Sequence, residues 1–142
     1  MTTERPTTPT KYGPAQFHVS PDGLLSLHWF SVEINRVLYR NANVYQRRSD
    51  RNSKPFTECA IYRADGKNTT DAAYTAFRAE FLRLVPLLVT PEACAQARAE
   101  EARAALVRCE KATQEAQEAE ARARAELAEA VAALVQFEDG AA

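Results

Sequence analysis

Two histidines and one cysteine, His18, His28 and Cys59, carry the widest chemical repertoire in this 142-residue chain. If His18 and His28 face each other across a hairpin, Cys59 could join them from a neighbouring strand. A metal centre asks for clustered ligands at characteristic spacing, and three residues so scattered do not supply it. Nucleophilic catalysis asks for a thiol or hydroxyl beside a base that a third group orients. Cys59 with His28 is the sole pairing these residues suggest, and it depends on the order of the strands. Gly13, Gly23, Gly66 and Gly140 are dispersed, so no phosphate-cradling loop is expected. The expectation is a protein with no catalytic residues, no metal and no cofactor. It is not an enzyme on this reading.

Charge offers a second chemistry. Arg36, Arg40, Arg47, Arg48, Arg51 and Lys54 fall within one short stretch, interleaved with Tyr39 and Tyr45, and Asp50 offsets them. Cations release counterions from phosphates, and tyrosine stacks on unpaired bases, so nucleic acid is one candidate partner. An acidic protein surface is another, and a solvated loop is the plainest alternative. Residues 1–90 hold 12 Lys+Arg against 8 Asp+Glu, whereas 91–142 hold 6 against 11. A basic head and an acidic tail follow, although the head falls short of the usual nucleic-acid footprint.

Residues 1–13, rich in Thr and Pro, read as a disordered tail. A head domain follows over 14–89. Phe17 and Val19 alternate with His18 and Ser20, Ser20-Pro21-Asp22-Gly23 is turn chemistry, and Leu24 to Phe30 completes a hairpin. Residues 31–46 satisfy two periods. Val32, Ile34, Val37, Tyr39, Val44 and Tyr45 favour strands, yet Phe30, Ile34, Val37, Leu38 and Asn41 make a helical stripe. Strand is the preferred reading, with a turn near Asn41-Ala42-Asn43.

Residues 47–55 read as an exposed basic loop and Phe56 to Arg63 as a strand. Thr70 caps a helix whose face carries Tyr74, Phe77, Phe81, Leu84 and Val85, ended or kinked before Pro86. The fold class is therefore α+β: a small antiparallel sheet packed by one amphipathic helix, then a long alanine-rich C-terminal helix.

That last helix is expected over 90–138. Thr90-Pro91-Glu92 combines a cap, a proline at the first helical position and an acid suited to the dipole. Nothing breaks it before Gly140, which gives about 70 Å at 1.5 Å per residue. Cys94 and Cys109 lie about 22 Å apart along it, too far to bridge. A heptad frame places Ala99, Leu106, Thr113, Glu120, Leu127 and Leu134 at one seam position. The other seam position holds Ala95, Ala102, Cys109, Ala116, Ala123, Ala130 and Phe137. Bulk is confined to Leu106, Val107 and Cys109, and to Leu127, Val131, Leu134, Val135 and Phe137. Such a helix can associate with its own copy, grip a foreign protein, or fold back or project as a solvated helix.

No export signal is read at Met1 to Thr10, which makes the Asn68-Thr69-Thr70 glycosylation pattern an accident and the chain cytoplasmic. Leu84 to Val89 is too short to cross a bilayer, and the acidic polar face of the long helix disfavours a membrane surface. The expected function is a non-enzymatic protein-interaction module: an adaptor, assembly factor or regulator of a larger machine, with a viral origin as one option. Its basic head would bind through the Arg-rich loop and flanking strands. Its helix interface would be Leu106, Cys109, Leu127, Val131, Leu134 and Phe137, for a protein partner or a homo-oligomer. A small nucleic-acid-binding regulator dimerised by the helix is the alternative.

Overall fold

The computed structural model describes residues 5–140. It has five strands and two helices: β1 (Thr7–Thr8), β2 (Ala15–Val19), β3 (Leu25–Ile34), β4 (Val37–Arg47), β5 (Phe56–Arg63), α1 (Asp71–Leu88) and α2 (Pro91–Gly140). The strands form one antiparallel meander in chain order. The class is α+β, as the residue pattern indicates. The chain divides into two compact units, Met1–Ala99 and Glu100–Ala142.

In the first unit, α1 covers one face of the sheet. Leu27 pairs with Val44, which pairs with Cys59, and Trp29 pairs with Ala42, which pairs with Ile61; these rows point inward. Phe77 on α1 is fully buried and packs its ring against Trp29 at 5.2 Å, Tyr39 at 5.4 Å and Tyr12 at 5.5 Å. Edge-on and tilted packing of this kind adds to the burial of large aromatic area. Phe81, Leu84, Leu25 and Val44 complete the core. Thr70 caps α1 by accepting from the Ala73 N–H at 3.2 Å, and Thr90 accepts likewise from Ala93 at 3.1 Å. Ala93 and Cys94 in the first turn of α2 pack on this core, and Ala97 is buried, which carries the unit past Thr90.

Four expectations need correction. The turn between β3 and β4 is at Asn35-Arg36, both with positive φ, and Asn41–Asn43 lies inside β4. The displacement has a local cause. Inward residues alternate through Leu25, Leu27 and Trp29, then resume at Val32; on β4 they run Val37, Tyr39, then Ala42 and Val44. Ser31 (φ 52) and Arg40 are the extra residues, so both strands shift parity at one place while Phe30 still opposes Asn41 and Val32 opposes Tyr39. Arg40 also marks the irregularity in the β4–β5 ladder. The strict alternation that advertises a strand is thereby blurred.

Residues 7–13, expected in a disordered tail, are part of the fold; 1–4 lie outside the described residues. Thr7 and Thr8 pair with Gln16 and Ala15, and the Phe17 N–H donates to the Pro6 carbonyl at 2.9 Å. The Trp29 indole N–H donates to Thr10 Oγ1 at 2.8 Å, and the Lys11 N–H donates to the Glu80 carboxylate. These partners satisfy polar groups that burial would otherwise orphan. Pro86 does not end α1, one of the two outcomes expected of it: the helix runs to Leu88. So close to the terminus a proline removes few ladder bonds, and the Val89 N–H closes on the Val85 carbonyl at 2.9 Å. The fourth correction is Tyr39, which is core and not open surface.

Residues of the second unit belong to α2 as far as Gly140, and none between Glu100 and Gly140 is buried. Along α2, Arg124 pairs with Glu120 four residues before it at 2.7 Å, and Glu118 accepts from Gln114 at 3.3 Å. Among the described residues no helix is long and apolar enough to cross a membrane.

Candidate functional site: an open sheet face and an uncovered helix stripe

Since α1 covers only one side of the sheet, the other side sets the surface chemistry of the head. Side chains one residue out of phase with the core share it. Phe30, Asn41 and Tyr62 form one row across β3, β4 and β5, and His28, Asn43 and Ala60 form the next. Phe30 is 56% exposed and Tyr62 55%. At about 4.8 Å per strand they flank Asn41 at roughly 10 Å from each other. The His28 ring lies 3.7 Å from the Phe30 ring centroid, and its Nε2 is 3.1 Å from Asn41 Oδ1. Further along, the Tyr45 hydroxyl donates to Glu58 at 2.9 Å. The Arg47 guanidinium pairs with the same carboxylate at 3.1 Å and lies over the Phe56 ring. The Tyr45 hydroxyl, with Arg47 beside it, holds the Glu58 carboxyl below its ordinary range, while that acceptor pushes the Tyr45 hydroxyl up.

The basic residues singled out from sequence do not form one cluster. Arg36 occupies the β3–β4 turn and Arg40 the parity shift nearby. Arg47, Arg48, Arg51 and Lys54 lie at the other end of β4, about 23 Å from Arg40 and about 36 Å from Arg36 by strand rise. Two of these hold structure together: Arg47 through Glu58, and Arg48 by donating to the Ser53 carbonyl at 2.8 Å and facing Asp22 at 3.8 Å. Asp50 is held below its usual range chiefly by the Asn52 N–H. Arg51, Lys54, Arg36 and Arg40 have no carboxylate within 4.0 Å among the described residues. A hollow of about 370 Å³ beside Tyr62 is lined by Arg40, Arg63, Lys67, Asn68 and Thr69. Its Arg63 is held by Asp65 at 2.6 Å.

The histidines and Cys59 do not converge. His18 pairs with Ser26 and His28 with Gln16, so the two are diagonal on the hairpin and not opposite. Cys59 faces the core while His28 faces away from it, which leaves the sheet between thiol and imidazole. Among the described residues no three His, Cys, Asp or Glu gather as a metal site. A larger groove, about 890 Å³, runs beside Lys11, Tyr12, Glu80 and Arg83. Its carboxylate is already engaged: Arg83 donates to Glu80 at 2.6 and 3.0 Å, and with the Lys11 N–H it holds the Glu80 carboxyl low.

On α2 the expected interface residues are all exposed. Leu127, Val131 and Leu134 stand at i, i+4 and i+7 on one face, with Leu127 65% and Leu134 62% exposed; Phe137 is 78% exposed. Leu106 and Cys109 are exposed about two and three turns past Ala99. Sequence reasoning found this stripe but missed Phe30 and Tyr62. The available signal was topological: a head with one amphipathic helix can cover only one face of its sheet, and each of these aromatics is one residue out of phase with a core residue. No protein-family model, no curated protein and no solved structure matches the chain in the three comparisons.

Proposed function

We propose that the chain is a non-enzymatic interaction protein whose distal helix is its docking element. One observation carries the reading. Between Glu100 and Gly140 no side chain is buried, yet seven large apolar residues are presented there, three of them in a single i, i+4, i+7 stripe. An apolar stripe on a helix is ordinarily buried against a partner element, and exposed apolar patches rimmed by charge mark association sites. Adaptor, assembly factor and regulator are the roles that such a head-plus-helix design suits. The test compares the full chain with a Leu127→Glu, Leu134→Glu double variant. Mass is measured by light scattering, and complexes co-purified from the source cells are compared. The reading expects at least one association, with self or another protein, that the variant loses. A monomeric chain whose complexes are unchanged by the variant contradicts it.

A second reading is single-stranded nucleic acid on the open sheet face. It is favoured by Phe30 and Tyr62 standing exposed on either side of Asn41, next to the cationic hollow at Arg40 and Lys67. Aromatic platforms with nearby cations suit unpaired bases. Binding of a labelled single-stranded oligonucleotide that weakens steeply with salt, and that Phe30→Ala with Tyr62→Ala removes, supports it. Absence of binding at about 50 mM salt sinks it.

A further inference from the structure

We propose that α2 docks antiparallel onto α2 of a second copy, with Leu106 set against Phe137 and Cys109 against Leu134. The proposal rests on the interaction reading above and names its partner. Leu106 and Leu134 are four heptads apart, as are Cys109 and Phe137, so the two bulky patches share one seam. A two-fold axis can therefore lay each patch on the other patch of the second copy, closing the assembly at two.

Charge selects the direction. A parallel pair puts Glu120 of both copies in one seam layer, where two carboxylates repel. The antiparallel pair sets Glu120 against Ala123 of the second copy, staggered from the other Glu120, with Arg124 of its own helix holding it at 2.7 Å. It also brings Arg103 beside Glu138 of the second copy at the flanking position, twice by symmetry, and opposes the helix dipoles. Alanine at Ala116, Ala123 and Ala130 lets the backbones approach closely.

Burial selects the register. One heptad deeper would seat Phe137 on Ala99, beside Ala97, whose 8% exposure shows it is already covered. One heptad shallower leaves Leu106 without a counterpart on α2. The proposed register overlaps from about Arg103 to Gly140, within the part of α2 where no residue is buried.

Cys109 makes the geometry readable. In a chain carrying Cys59→Ala and Cys94→Ala, with folding checked by the emission of Trp29, mild oxidation should leave Cys109 monomeric on a non-reducing gel. In the antiparallel pair the two Cys109 thiols are about 37 Å apart. Adding Leu134→Cys should convert the chain to a covalent dimer, and Leu127→Cys should not. A second pair, Leu106→Cys with Phe137→Cys in a Cys109→Ala background, should also cross-link, which guards against loss of packing at Leu134. The unmodified chain should scatter as a dimer. Cross-linking through Cys109 alone shows a parallel pair and overturns the proposal; cross-linking by Leu127→Cys in place of Leu134→Cys overturns the register. A monomeric mass overturns it too, and if a foreign complex sensitive to Leu134→Glu survives, the interaction reading stands without it.

Discussion

Trp29 and Phe77 lose all contact with solvent in the head, whereas from Glu100 to Gly140 every side chain keeps most or part of its own. The same chain is thus held in two ways. Up to Ala99, structure depends on residues distant in sequence: the Lys11 N–H finds Glu80 across 69 positions, and Phe77 touches rings from three separate segments. Beyond Glu100 it depends on neighbours three and four residues away, on alanine propensity and on pairs such as Glu120–Arg124. The first kind of structure fails cooperatively when one residue is lost. The second kind frays, and gains cooperativity only from whatever covers it. The contrast favours the helix as the docking element: the head buries Trp29, Phe77, Phe81 and Leu84 on itself and leaves a few apolar residues such as Phe30 and Tyr62 outside, whereas α2 beyond Glu100 buries none.

The sharpest way to break this contrast is Phe77→Ala. Emptying the site between Trp29, Tyr39 and Tyr12 should cost about 3–5 kcal/mol. Denaturation followed by Trp29, the single tryptophan, should register the loss. Helical circular dichroism from the distal part of α2 should outlast that transition; a single coincident unfolding of both signals would erase the distinction between the two units.

Glu80→Ala should be next, at roughly 1–3 kcal/mol, because it strands the part-buried Lys11 N–H and removes the partner of Arg83. Its carboxyl is held low by Arg83 and Lys11, so its contribution is complete above the ordinary glutamate range and is lost as pH falls through that range toward the lowered value. Thermal melts of the head between about pH 6 and pH 3 should therefore fall less steeply for Glu80→Gln than for the parent. Equal slopes would show that Glu80 is not an anchor.

Thr70→Ala removes the hydroxyl that accepts from Ala73 and should cost about 1 kcal/mol, read by the same denaturation. The smallest effect is the most telling. Cutting the chain after Ala99 should leave the melting of the head unchanged, and a substantial drop would mean that the distal helix supports it.

What the sequence disclosed follows the same division. Thr90-Pro91-Glu92 and Thr70 announced their helices because capping is a matter of three or four adjacent residues, and Ser20 to Gly23 announced its turn for the same reason. The Asn35-Arg36 turn stayed hidden because Ser31 and Arg40 each add a residue, so a pattern of period two had to be read across a phase change. Lys11 and Thr10 looked like tail because their partners, Glu80 and Trp29, are brought to them only by the finished fold. At the candidate surfaces, the stripe around Leu127 was legible as periodicity on one helix. Phe30 and Tyr62 were not, since their pairing across Asn41 requires the strand order. Tyr39 was misjudged for a related reason: beside arginines in sequence, it belongs to the core face after the shift at Arg40.

The two residues of β1 have a consequence out of proportion to their length. A sheet margin with free amides and carbonyls invites strands from other molecules, and proteins blunt such margins with short strands and proline. Thr7–Thr8 sits between Pro6 and Pro9, neither of which can donate. Trimming the chain to begin near Gly13 would bare the full length of Ala15–Val19 to solvent. The expected outcome is a protein that loses the contacts of Thr10, Lys11 and Tyr12 with Trp29, Glu80 and Phe77 and precipitates through edge-to-edge sheet growth, so a shortened version chosen to tidy a supposed tail would be the wrong one to make.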